Sequence, residues 1–292
     1  MIESYPWQLA PWQQFVALKQ QQRIPHALLL TGVHGLGKNT FSQKLVKSVL
    51  CLAANNDGTA CEQCHSCQLF DAGSHPDHTE VKPEEAGKQI KIEQIRQLIG
   101  KQQLTPTVSN WKTVVISPAY SMNVNANNSL LKLLEEPQDN TLIILITSKP
   151  EKMPITVKSR CQTIHMATPN FDESLNWLTQ YSQHQQNDVT KKVLRLAKGA
   201  PLAALEILDA EGGEAYQEID NDFNEIIRAK VNPISLASKW QQFDLTQLMN
   251  QLQYNLQDRI VASNGQDVSS KLYWKVLDCI IDTTKLLSSQ NN

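Results

Sequence analysis

Ala27-Leu28-Leu29-Leu30-Thr31-Gly32-Val33-His34-Gly35-Leu36-Gly37-Lys38-Asn39 is the stretch whose reading decides the fold. Ala27 to Leu30 are apolar without alternation, and with Thr31 they read as a strand covered on both faces. Gly32, Gly35 and Gly37 then punctuate a loop. Beyond it Phe41, Leu45, Val46, Val49 and Leu50 fall on one side at helical spacing. A strand, a glycine-rich loop and a helix start, with Lys38 at the junction, form the context of a G-x-x-x-x-G-K-[ST] phosphate loop. Glycines let successive N–H groups turn toward phosphate oxygens. The helix N-terminus adds partial positive charge and the lysine a full one.

Working outward, the chain to residue 166 alternates strand-like runs with amphipathic helices, the pattern of an α/β domain with a parallel sheet. Strands are expected at Thr79–Val81, Thr113–Ile116, Leu142–Ile146 and Thr163–Met166. Helices are expected around Ile92, Ile95, Leu98 and Ile99, and over 124–136, where Pro137 ends the run. After Thr168-Pro169 the strand signals cease. Helical stretches cover 171–182, 188–198 and 202–209, and Glu211-Gly212-Gly213 reads as a linker. Beyond it Leu245, Leu248, Met249, Leu252 and Leu256, and then Tyr273, Val276, Leu277 and Ile280, repeat at helical spacing. Periodicity leaves open whether these stripes bury within the domain or against a partner. The expected organisation is 1–166, 167–209 and 210–292.

The 292 residues, 41% hydrophobic and 19% charged, have ordinary globular composition, which argues against wholesale disorder. A net charge of −2 excludes the global basic field that drives strong independent binding to nucleic acid. No apolar run approaches the ~20 residues of a membrane span. The start lacks a basic stretch leading into an apolar one, so a cytoplasmic protein with reduced thiols is expected.

The phosphate loop departs from its pattern where chemistry needs it most. The position after Lys38 should carry the hydroxyl that ligates magnesium, and it is Asn39; Thr40 lies one residue too far along. An inner strand should end in an Asp that anchors the metal, yet Val114-Val115-Ile116 runs into Ser117-Pro118-Ala119. Without metal, several kcal/mol of transition-state stabilisation are missing. Hydrolysis is not expected. Binding of ATP or ADP through Lys38 and the loop amides stays open.

Cys61, Cys64 and Cys67 form a tight trio, and Cys51 lies ten residues before it, across the turn-forming Asn55-Asn56-Asp57-Gly58-Thr59. Four thiolates at this spacing suit tetrahedral zinc, here structural because no open ligand position is evident. His65, His75 and His78 compete as ligands, and an iron–sulfur cluster is a rival that spacing alone does not exclude. Arg160, in Lys158-Ser159-Arg160-Cys161, stands just before the last strand. Taken alone it reads most simply as a surface salt-bridge residue.

Together the loop Gly32–Asn39, the four cysteines, Gly73-Ser74-His75-Pro76-Asp77, the helix Asn128–Pro137 with its Leu-Leu-Glu-Glu-Pro ending, and Ser159-Arg160-Cys161 resemble the AAA+ clamp-loader subunits of bacterial DNA polymerase III, of the delta-prime family. The resemblance covers residues 1–166. It implies an AAA+ P-loop core with a zinc module at 51–67, a small helical lid at 167–209 and an all-α collar at 210–292. It also implies a hetero-pentameric ring with gamma/tau and delta subunits that loads a sliding clamp onto primed DNA. Arg160 would then reach, as an arginine finger, the ATP of a neighbouring gamma/tau subunit. The gamma/tau ATPase shares the zinc module, but it should carry the metal-binding hydroxyl, an Asp-Glu pair and a lid arginine. Those positions read Asn39, Ser117-Pro118 and Leu202. An active ATPase with non-standard metal ligation is the alternative, with Lys38 in its favour.

Overall fold

The computed structural model describes residues 4–85, 87–102, 105–181, 188–209, 212–228, 230–262 and 268–290. They form two compact units, one ending at Pro169 and the other beginning at Asn170.

The first unit opens with helix α1 (Leu9–Gln20), followed by β1 (Ala27–Thr31), α2 (Lys38–Leu50), α3 (His65–Asp71), β2 (His78–Val81) and α4 (Ile92–Gln102). It continues through β3 (Lys112–Ile116), α5 (Val124–Glu135), β4 (Thr141–Thr147), the single turn α6 (Ile155–Lys158) and β5 (Gln162–His165). The strands make one five-stranded sheet in the order β2-β3-β4-β1-β5, and every pairing is parallel. Leu29 pairs with Leu145 on one side and Thr163 on the other, so β1 lies inside the sheet. β1, β3 and β4 are buried at every residue. Their unbroken apolar runs follow from that, since crossover helices cover both faces of a parallel sheet. Each strand expected from the sequence is present, shifted by a residue at most.

One face packs into a cluster of Leu29, Val114, Ile143 and Leu145 from the strands with Ile95, Leu98, Leu130, Leu133, Leu134 and Val157 from the helices. Parallel strands put all their carboxyl ends on one edge, where α/β proteins hold ligands. The loop after β1 emerges there.

The second unit is entirely helical among the described residues: α7 (Phe171–Tyr181), α8 (Asp188–Leu196), α9 (Pro201–Asp209), α10 (Gly212–Ile227), α11 (Pro233–Lys239), α12 (Leu245–Ala262) and α13 (Val268–Gln290). The stretch expected as collar falls inside it, and so does the stretch expected as lid apart from residues 167–169, which belong to the first unit. Gly212 and Gly213 open α10 and are not a linker; Glu211 lies outside the described residues. The helix forms despite the glycines because Tyr216, Ile219 and Phe223 bury one face of it. Leu248, Leu252 and Leu256 of α12 close over Ile219, Phe223 and Leu277. Most of the α12 stripe thus belongs to an internal core that Leu277 of α13 joins, whereas Leu245 and Val276 stay exposed.

Candidate functional site

The loop between β1 and α2 adopts the backbone its glycines permit. Gly37 sits at φ +71°, and a Cβ there would come within 2.7 Å of the Tyr5 ring. Gly32 sits at φ +142°, with a Cβ position 2.7 Å from the Met166 carbonyl oxygen. A side chain at either place strains the turn or forces a neighbour to shift.

Lys38 is buried, and its ammonium is turned onto the loop itself. Nζ donates to the Gly32 carbonyl at 2.9 Å and to the Val33 carbonyl at 2.6 Å. Burial pushes its pKa down to about 8. The N-terminal segment clasps the same loop. Trp7 Nε1 and Gln8 Nε2 each donate to the Leu36 carbonyl at 3.0 Å, and Gln8 Nε2 also reaches the Gly37 carbonyl at 3.0 Å. Trp12 and Phe15 of the same segment pack into the core.

Asn39 and the end of β3 meet directly. Ser117 Oγ donates to Asn39 Oδ1 at 2.9 Å, across 78 residues of chain. The residue in the place of the metal-binding hydroxyl thus bonds the residue in the place of the metal-anchoring carboxylate. A neutral side-chain pair spans the gap.

The four cysteines converge behind α2. The Sγ atoms of Cys51, Cys61, Cys64 and Cys67 all lie within 4.8 Å of one another, with Cys51 and Cys64 at 4.0 Å. Four ligands at ~2.3 Å around a tetrahedral ion stand about 3.8 Å apart, so the set can hold a metal ion with little adjustment. Backbone N–H groups point at the sulfurs: Cys61 N donates to Cys51 Sγ at 3.2 Å and Cys64 N to Cys61 Sγ at 3.4 Å. Donors from Gln63 and Cys64 pull the Cys61 thiol down to about 6, toward the thiolate that ligates metals.

Two of the competing histidines, His75 and His78, are engaged elsewhere. His75 Nε2 meets Ser66 Oγ at 2.9 Å and its Nδ1 accepts from Asp77 N at 3.1 Å. His78 Nδ1 pairs with Thr113 Oγ1 at 2.9 Å. One anchor escaped sequence reasoning. Lys47 is 3% exposed and holds Asp71 at 2.7 Å and Glu62 at 3.7 Å, tying the cysteine loop to α2. A lysine between Val46 and Val49 on a buried helix face was its one signal.

Arg160 follows α6 on the surface. Nη2 contacts Glu135 Oε1 at 2.7 Å, and Nη1 donates to the Thr156 carbonyl at 2.8 Å. Where Lys38 turns onto carbonyls of its own loop, Arg160 pairs with a half-exposed carboxylate at the surface.

A parallel sheet in this order, with a phosphate loop leaving an inner strand and a second unit helical among the described residues, defines the P-loop fold of the AAA+ class. The family model described as "DNA polymerase III, delta subunit" matches residues 7–170. The delta' subunit of DNA polymerase III from Pseudomonas aeruginosa is 34% identical over 250 residues, covering 86% of this chain and 75% of that protein. The Escherichia coli delta' subunit is 31% identical over 215 residues, covering 74% and 64%. The tau/gamma subunit of Haemophilus influenzae is 30% identical over 189 residues, covering 62% of this chain and 26% of the other. The chain belongs to the delta' family of DNA polymerase III subunits. Among the described residues no helix is long and apolar enough to cross a membrane.

Proposed function

We propose that the chain is a non-hydrolysing member of a cytoplasmic clamp loader. It joins gamma/tau and delta subunits in a hetero-pentameric ring, holds structural zinc on Cys51, Cys61, Cys64 and Cys67, and donates Arg160 to the ATP of an adjoining gamma/tau subunit. The ring then loads a sliding clamp onto primed DNA. One observation carries the reading: Ser117 bonds Asn39 where hydroxyl, magnesium and carboxylate would otherwise follow one another. Phosphoryl transfer depends on that metal charge. Lys38, bonded to the Gly32 and Val33 carbonyls, would have to break both contacts to meet a phosphate.

The rival reading, an active ATPase of tau/gamma type, draws on the retained lysine and on the tau/gamma match. Nucleotide binding and turnover by the purified chain, alone and then mixed with gamma/tau and delta subunits, separates the two. The proposal expects no turnover alone and clamp- and DNA-stimulated turnover in the mixture. Magnesium-dependent turnover by the chain alone, abolished by Lys38→Ala, would establish the rival.

A further inference from the structure

Glu135 occupies the last turn of α5, where a carboxylate faces the negative end of the helix dipole and gains nothing from its own helix. Its electrostatic partner is Arg160, at 2.7 Å from Oε1 to Nη2. The other terminal nitrogen, Nη1, is held by the Thr156 carbonyl at 2.8 Å and reaches Ser159 Oγ at a long 3.5 Å. A guanidinium is planar, so restraints at both terminal nitrogens orient the whole fork. The remaining donors stay available to an incoming anion.

The two residues do not meet by chance of two mobile side chains on an open surface. Leu133 and Leu134, beside Glu135, and Val157, one turn before Arg160, are buried in the same apolar cluster, and Cys161 packs against it. The packing of α5 against α6 therefore fixes the separation of the two backbones.

We propose that Glu135 is a positioning residue for Arg160, holding the guanidinium so that its free edge faces a phosphoryl group bound by an adjoining subunit. The inference rests on the finger reading of Arg160. An arginine bonded to a carboxylate through one nitrogen keeps enough donors to bind a phosphoryl oxygen at the same time. An exposed pair of this kind adds little to stability, so stability and positioning separate in experiment.

The test is a reconstituted ring, with gamma/tau and delta subunits, in which this chain carries Glu135→Ala, Glu135→Gln, Arg160→Ala or Glu135→Ala with Arg160→Ala. DNA-stimulated turnover is measured against ATP concentration, and each isolated variant is melted. Glu135→Ala is expected to lower kcat about three- to fivefold with KM for ATP unchanged. Glu135→Gln, which keeps a neutral acceptor, should recover part of that loss. In the Arg160→Ala background Glu135→Ala should cost nothing more, since the two act as a unit. Should Glu135→Ala melt early, the isosteric Glu135→Gln carries the comparison. Full kcat in both Glu135 variants, beside a clear loss in Arg160→Ala, would overturn the positioning role and leave the finger standing. A Glu135→Ala loss that persists without Arg160 would also overturn it. Unchanged turnover in Arg160→Ala would remove the finger reading and this proposal together.

Discussion

The phosphate loop and the Arg160 turn belong to the same unit and treat charge in opposite ways. At the loop Lys38 spends its donors on the Gly32 and Val33 carbonyls, Asn39 and Ser117 satisfy each other, and Trp7 and Gln8 close the remaining side. At the turn Arg160 stands at the surface with a single carboxylate beside it. The first region keeps the loop and Lys38 of a nucleotide site, while Asn39 and Ser117 stand where a hydroxyl and a carboxylate would hold magnesium. The second presents a cation paired with a carboxylate at the surface. On the proposed function, that division fits a subunit whose chemical contribution is made in a neighbour.

The sharpest way to break the contrast is Arg160→Ala in the reconstituted ring. Turnover at the one site Arg160 serves should fall by about 10³-fold, with assembly by size-exclusion chromatography unchanged. Equal turnover would reduce Arg160 to a surface salt-bridge residue. The next effect belongs to the loop side, because Lys47 ties the cysteine module to α2. Chelation, or Cys64→Ser, should release the metal and lower the melting temperature by about 5–10 °C. New protease cuts should fall within 51–67 and α2 and spare the Arg160 turn. A full metal content after Cys64→Ser would mean that another group completes the site.

The sequence carried most of the first unit because its strands are covered on both faces. β1 and β4 read as continuous apolar runs with glycine or proline nearby, and their ends fall within a residue of expectation. The cysteine set was legible for a similar reason, since spacing alone limits which thiols can converge. What stayed hidden depends on long-range packing. α3 is seven residues long and too short for a periodic signal. α10 was obscured by Gly212-Gly213, although Tyr216, Ile219 and Phe223 at i, i+3 and i+7 carried the helical stripe. Nothing local pairs Glu135 with Arg160, because that contact exists only once α5 and α6 share a core. The leucine stripes of 245–280 were legible as helices and silent about their partners. Burial shows that most of both stripes share one core: Leu248, Leu252 and Leu256 of α12 and Leu277 of α13 are buried together, with Tyr273 and Ile280 packed against them, while Leu245 and Val276 stay exposed.

Restoring the missing ligands tests what closes the loop. Asn39→Thr with Ser117→Asp replaces the neutral bond by a hydroxyl and a carboxylate, the pair that holds magnesium in working phosphate loops. Calorimetric titration with ADP should then show magnesium-dependent affinity at least about tenfold above the parent chain. An unchanged affinity would shift the cause to the clasp of Trp7 and Gln8, and removal of residues 1–8 in the double variant would be the step that opens the site.

The smallest effect concerns Lys38, whose pKa burial pushes down to about 8 from 10.5. The sign is that of a lysine losing its proton early: the loop holds a cation below about pH 8 and a neutral amine above it. A neutral amine still has two N–H groups, enough for the Gly32 and Val33 carbonyls, so the closed loop should persist through the titration. Its attraction for phosphate should not. Binding of inorganic tripolyphosphate should weaken severalfold between pH 7 and pH 9. Labelling of Lys38 by an amine-reactive reagent, read by peptide mass spectrometry, should reach half its maximal rate near pH 8, where an ordinary lysine needs about 10.4. A midpoint at 10 or above would mean that the ammonium is solvated and the loop stands open in solution. The self-closed half of the contrast with Arg160 would then be lost, and Lys38 would be free to meet a nucleotide.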